Sequence, residues 1–157
     1  DRGFTTLSIQ MPVLAAGARV EDYLPLFPEA SQRIAAAADW LGTRQRAPIV
    51  ILSHSLGAWM TERYLRSAKA APFAAWICMG RAGTLAPPAR PIPILDVYGE
   101  NDLPTVLRDA AERRRTVEPM SGSRQVVIAG ADHFYTGKEG ELTAALVPFI
   151  EAAAGRP

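Results

Sequence analysis

The chain has 157 residues, 48% of them hydrophobic and 21% charged, which suits one globular domain with a sizeable core and excludes a disordered or fibrous chain. Seventeen Lys and Arg against sixteen Asp and Glu leave a formal net charge of +1, so charge gives no reason to expect a nucleic-acid or anionic-membrane partner. No apolar run approaches the roughly 18 residues of a membrane span.

Apolar runs alternate with helical patterns along the chain. Residues 5–11 are rich in β-formers and stop at Pro12. Residues 28–41 read as a helix: Pro28 suits a first turn, Ile34, Ala38 and Leu41 share a face, and Gly42 can close it. Residues 49–52 form a β-branched and aliphatic run after Pro48, and 56–68 carry Leu56, Met60 and Tyr64 at helical spacing. Residues 73–79 are apolar throughout and end at Gly80; they hold the single cysteine, Cys78, read as a buried inert thiol. The loop 81–91 has three prolines and one glycine and leaves no room for a long helix. Residues 92–98 read as a strand ending at Gly99. Residues 105–117 read as a helix with Val106, Ala110 and Val117 inward, and Arg113, Arg114 and Arg115 on a solvated face. A short strand, 125–128, and a helix, 141–153, with Leu142, Leu146, Phe149, Ile150 and Ala153 on one stripe, complete the pattern. Strands apolar on both faces and separated by helices imply a mostly parallel sheet of about five strands flanked by helices: an α/β domain.

The stretch Ser53-His54-Ser55-Leu56-Gly57 ends one of these strands and opens a helix. Functional groups of an open parallel sheet collect at the carboxyl ends of its strands. Ser55, flanked two residues away by the small Ser53 and Gly57, fits a nucleophile elbow, in which a tight turn lifts the hydroxyl out of the fold. Small residues are expected there because larger ones would collide; Ser53 departs mildly from the usual glycine. The turn would aim the Leu56 amide at a developing oxyanion, with the dipole of the following helix behind it.

A serine needs a base, and the chain has two histidines. His54 leaves the turn in another direction and reads as a supporting residue. His133 follows the last strand and returns to the edge that carries Ser55. The acid that would orient it is Asp102, after the preceding strand; Glu100, Asp132 and Asp96 are the alternatives. No GxGxxG and no phosphate-binding Gly-Lys-Ser/Thr loop is present, and two distant histidines with one cysteine make a poor zinc site. Neither metal nor cofactor is expected. Trp40, Trp59 and Trp76 read as core or pocket wall rather than a base-stacking platform.

The order Ser55, Asp102, His133 and the stretches Leu7-Ser8-Ile9-Gln10-Met11-Pro12, His54-Ser55-Leu56-Gly57-Ala58, Leu95-Asp96-Val97-Tyr98-Gly99 and Gly130-Ala131-Asp132-His133 resemble the α/β-hydrolase superfamily. They are similar in particular to a bacterial branch of largely unassigned function. The resemblance implies Ser55 as nucleophile, Asp102 as acid, His133 as base and the Leu56 amide as an oxyanion donor. It implies an esterase-like serine hydrolase acting on a small, solvent-accessible ester-type substrate. The alternative is a non-catalytic binding protein of the same fold, or an inactive fragment. The superfamily has a strand and a His-Gly oxyanion loop upstream of the first strand-like segment here. The expectation is a single domain, 1–157, that starts after them and begins at Asp1 with no initiator methionine; any targeting signal would lie upstream, so no compartment is assigned. In the family's order the upstream strand lies between 5–11 and 49–52. Those segments must then pair directly or leave a gap, and an exposed edge there would invite self-association. The proline-rich loop 81–91 stands where many relatives insert a helical cap, so an open site is expected.

Overall fold

The computed structural model describes residues 3–44, 47–67 and 72–155. A 3₁₀ helix, Val20–Leu26, leads into α1, Phe27–Gly42. Then follow β1 (Ile49–His54), α2 (Leu56–Ser67), β2 (Phe73–Met79), β3 (Ile94–Gly99), α3 (Pro104–Leu107), α4 (Ala110–Val117), β4 (Arg124–Ile128) and α5 (Glu139–Ala153). The strands make one parallel sheet in the order β1-β2-β3-β4.

The apolar character of β2 on both faces is explained by its two partners. Trp76 and Cys78 face a core built with Ile34 and Ala38 of α1, Tyr64 and Leu65 of α2, and Val117 of α4. Ala75, Ile77 and Met79 face the opposite core, closed by Phe149 of α5 together with Leu142, Leu146 and Ile150. Alternate residues thus serve opposite layers, the period-two rule of a strand buried on both sides. Burial pushes the Cys78 thiol well above its usual range, in keeping with an inert core residue.

Several expectations need correction. Residues 5–11 form no strand: four strands are seen among the described residues, not five. Instead of pairing with β1, this segment is separated from it by a cleft of about 630 Å³ lined by Phe4, Ile9, Met11, Val50, Leu52 and Ile150. β-Propensity describes a chain that would fit a pleated surface; it does not supply the neighbouring edge. β1 therefore lies at the rim of the sheet, and Leu52 is half exposed. The expected helix over 105–117 is two helices, with the second ladder restarting at the Asp109 carbonyl, which accepts from the amides of Glu112 and Arg113. Trp40 is half exposed under a stacked Arg44 and borders a shallow surface depression.

Arg113 is the largest correction. It is completely buried, while Arg114 and Arg115 are exposed as expected. Its Nε donates to Asp96 Oδ2 at 3.0 Å, and its Nη1 donates to the carbonyls of Gly83 and Val106 at 3.1 and 3.0 Å. Gln125 Nε2 adds a bond to Asp96 Oδ2 at 2.7 Å. One guanidinium thus ties β3 to the loop after β2 and to α3. That loop, 81–91, carries no helix. It is pinned to α2 by Arg81, which pairs with Glu62 at 2.7 Å and stacks on Trp59, and by Trp59 Nε1 donating to the Ala82 carbonyl at 3.0 Å.

Candidate active site

β1 ends at His54, and the chain turns into α2 through the single residue Ser55. Ser55 has φ +54°, a left-handed conformation that costs a non-glycine residue about 1–2 kcal/mol. Its amide donates to the Met79 carbonyl at 2.9 Å, which fixes the turn to the end of β2. Leu56, first in α2, belongs to the turn whose N–H groups lack intrahelical acceptors.

The two small flanking residues behave differently. Ser53 is buried, and its Oγ accepts the indole N–H of Trp76 at 2.8 Å. The hydroxyl therefore gives the deepest tryptophan its polar partner, which glycine could not. Gly57 does not conform to the steric expectation. A Cβ there would meet nothing within 4 Å outside the helix's own backbone, because the position borders the cleft.

The structure brings Ser55, His133 and Asp102 into one hydrogen-bonded line. Asp102 is buried in the turn after β3, its amide donating to the Gly99 carbonyl at 3.1 Å. Its carboxylate accepts from the Leu103 amide at 2.7 Å, the Gly99 amide at 3.2 Å and His133 Nδ1 at 2.6 Å. A carboxylate with three donors is held as an acceptor, so the proton of His133 resides on Nδ1. Nε2 is then free to accept, and Ser55 Oγ donates to it at 2.9 Å.

The other acids have different work. Glu100 Oε2 accepts the Gly130 amide at 2.8 Å, fastening the end of β4. Asp132 Oδ1 accepts the amides of Thr136 and Phe134 at 3.0 and 2.9 Å, and hydrogen bonding, chiefly from Thr136, holds its carboxyl below its usual range. Asp96 is claimed by Arg113 and Gln125; burial raises its carboxyl, with Arg113 acting against that shift. None of the three reaches His133 through its side chain.

Sequence reasoning treated Gly80 and Gly99 only as strand ends. Both admit the histidine-bearing loop to close range. A Cβ on Gly80, at φ +55°, would stand 2.9 Å from His133 Cε1. A Cβ on Gly99 would stand 2.4 Å from the Ala131 carbonyl oxygen. The legible signal is a glycine directly after the last apolar residue of each strand at the functional edge. Tyr135 was also missed: it is buried, has φ +57°, and donates its hydroxyl to the Val97 carbonyl at 3.1 Å. Burial raises its phenol far above the usual value.

No family model matches the chain, and no curated protein matches it. Solved structures do. A serine hydrolase without lid from Xanthomonas campestris superposes with a TM-score of 0.62 at 20% identity, over 81% of this chain and 58% of that one. A protein of unknown function from Agrobacterium tumefaciens, described as of α/β-hydrolase type, gives 0.64 at 18% identity, over 94% and 66%. A monoacylglycerol lipase from Paleococcus ferrophilus gives 0.62 at 13% identity, over 81% and 76%. The chain thus spans less than two thirds of the Xanthomonas protein's length. The four parallel strands among the described residues, their flanking helices and the strand-to-helix turn at Ser55 make this an α/β-hydrolase fold.

Proposed function

We propose that the chain is a serine hydrolase of the esterase type. The observation that carries the reading is the line from Ser55 Oγ through both ring nitrogens of His133 to Asp102, with bonds of 2.9 and 2.6 Å. Ser55 Oγ attacks the ester carbonyl carbon while its proton passes to His133 Nε2. The Leu56 amide donates to the oxyanion as it forms, where preorganised donors act most strongly. The imidazolium, oriented by Asp102, then protonates the departing alcohol. Water repeats the sequence, releasing the acid and restoring Ser55.

The surroundings support a substrate class. The loop 81–91 has no cap helix, and the Xanthomonas neighbour is itself described as lidless. An open site buries little of a long alkyl chain, so soluble short-acyl esters are the substrates. A series of p-nitrophenyl esters from acetate to palmitate tests this. The chain is expected to cleave acetate and butyrate best, and Ser55→Ala to lose about a thousandfold or more. A strong preference for palmitate contradicts the open site; equal rates with Ser55→Ala contradict the nucleophile.

A further inference from the structure

The mechanism gives no task to the second histidine, His54. Its position is nevertheless tightly specified. His54 Nε2 lies 2.8 Å from the main-chain oxygen of His133. A carbonyl only accepts, so Nε2 carries the proton and donates it. The two imidazoles pack with centroids 4.7 Å apart, tilted by 40°. Gly80 closes the space around both: a Cβ there would approach His133 Cε1 to 2.9 Å and His54 Nε2 to 3.2 Å. The rings of Phe134 and Tyr135 lie 6.0 and 6.2 Å from that of His54. His133 and Asp102 are the titratable groups whose charge acts on it.

Consecutive residues of one short segment therefore grip the same histidine twice. Ser55 meets its ring, and His54 meets its main chain. His133 lies in a loop, where nothing in a strand or helix ladder fixes its backbone. His54 ends β1, whose backbone the sheet holds. Tethering the His133 carbonyl to the residue beside the nucleophile sets the distance between hydroxyl and imidazole without relying on the loop's own stiffness.

We propose that His54 is a positioning residue: its Nε2–H holds the main chain of His133 so that the imidazole stays between Ser55 and Asp102. The catalytic consequence rests on the serine-hydrolase reading; the anchoring does not.

Solution NMR of the ¹⁵N-labelled chain tests the anchoring directly, since only two histidines contribute. At pH 8, His54 is expected as the Nε2–H tautomer and His133 as the Nδ1–H tautomer; His54 as the Nδ1–H tautomer overturns the proposal. Two variants extend the test. His54→Gln keeps a side-chain N–H donor, and His54→Phe keeps a ring and removes the donor. In His54→Phe the downfield Nδ1 proton of His133 is expected to exchange about tenfold faster, and fluorophosphonate labelling of Ser55 to slow about tenfold, as a misplaced base predicts. His54→Gln is expected to restore both. Equal proton exchange in all three proteins overturns the anchoring. A wild-type chain that takes no label defeats the serine-hydrolase reading instead, while tautomer and exchange still decide the role of His54.

Discussion

The Asp102 carboxylate accepts three N–H groups, so each contact it makes is as an acceptor. An amide in its place can turn an N–H toward His133 Nδ1 and force the proton to Nε2, where it blocks acceptance from Ser55. Asp102→Asn is expected to lower kcat/KM on the order of a thousandfold or more with the fold intact, measured by ester hydrolysis beside circular dichroism. His54 gives a pH dependence of stability. Burial holds its imidazole below the usual 6.5, outweighing the hydrogen bond to the His133 carbonyl, which favours the charged form. The unfolded chain takes up that proton near 6.5 and the folded chain resists it, so below 6.5 the unfolded state binds more protons. Stability is then full above 6.5 and declines as pH falls toward the folded value. The urea midpoint is expected to drop between pH 7.5 and 5.5, and to drop less in His54→Gln. At this scale the sequence favours Asp102 as the acid and keeps three other carboxylates as alternatives. All four follow or lie within neighbouring strands at one edge, and only the loop bonds of Glu100 and Asp132 and the ion pair of Asp96 separate them.

Among the elements, the strands were legible because β2 and β3 are buried almost throughout, and the residues 49–52 of β1, only partly covered, still read as an apolar run. Ser55 and His133 were legible for a related reason, since a parallel sheet sends the end of every strand to the same edge. What the sequence could not convey was pairing. Residues 5–11 have the composition of a strand but face a cleft rather than an edge. Arg113 belongs to an Arg-Arg-Arg run that gives no hint which member meets the buried Asp96. Glycines make the contrast testable. Gly99→Ala drives a methyl into the Ala131 carbonyl and is expected to cost about 2 kcal/mol or more by urea denaturation, with loss of activity as the His133 loop shifts. Gly57→Ala meets open space and is expected to change stability by less than about 1 kcal/mol.

For the whole molecule, the buried pair of Asp96 and Arg113 joins the sheet to the loop after β2 and to α3. Arg113→Met leaves a carboxylate buried without its partner and is expected to cost about 3–5 kcal/mol. Asp96→Leu combined with Arg113→Met removes both charges and is expected to cost less than Arg113→Met alone, measured by denaturant unfolding. Around this frame, the ends of three strands converge to join a hydroxyl, an imidazole and a carboxylate, and this line is proposed to activate Ser55. Intact-mass analysis after fluorophosphonate treatment tests it most directly. A single adduct is expected on the wild-type chain and none on Ser55→Ala. A folded wild-type chain that takes up no label, or an adduct that persists in Ser55→Ala, would contradict it.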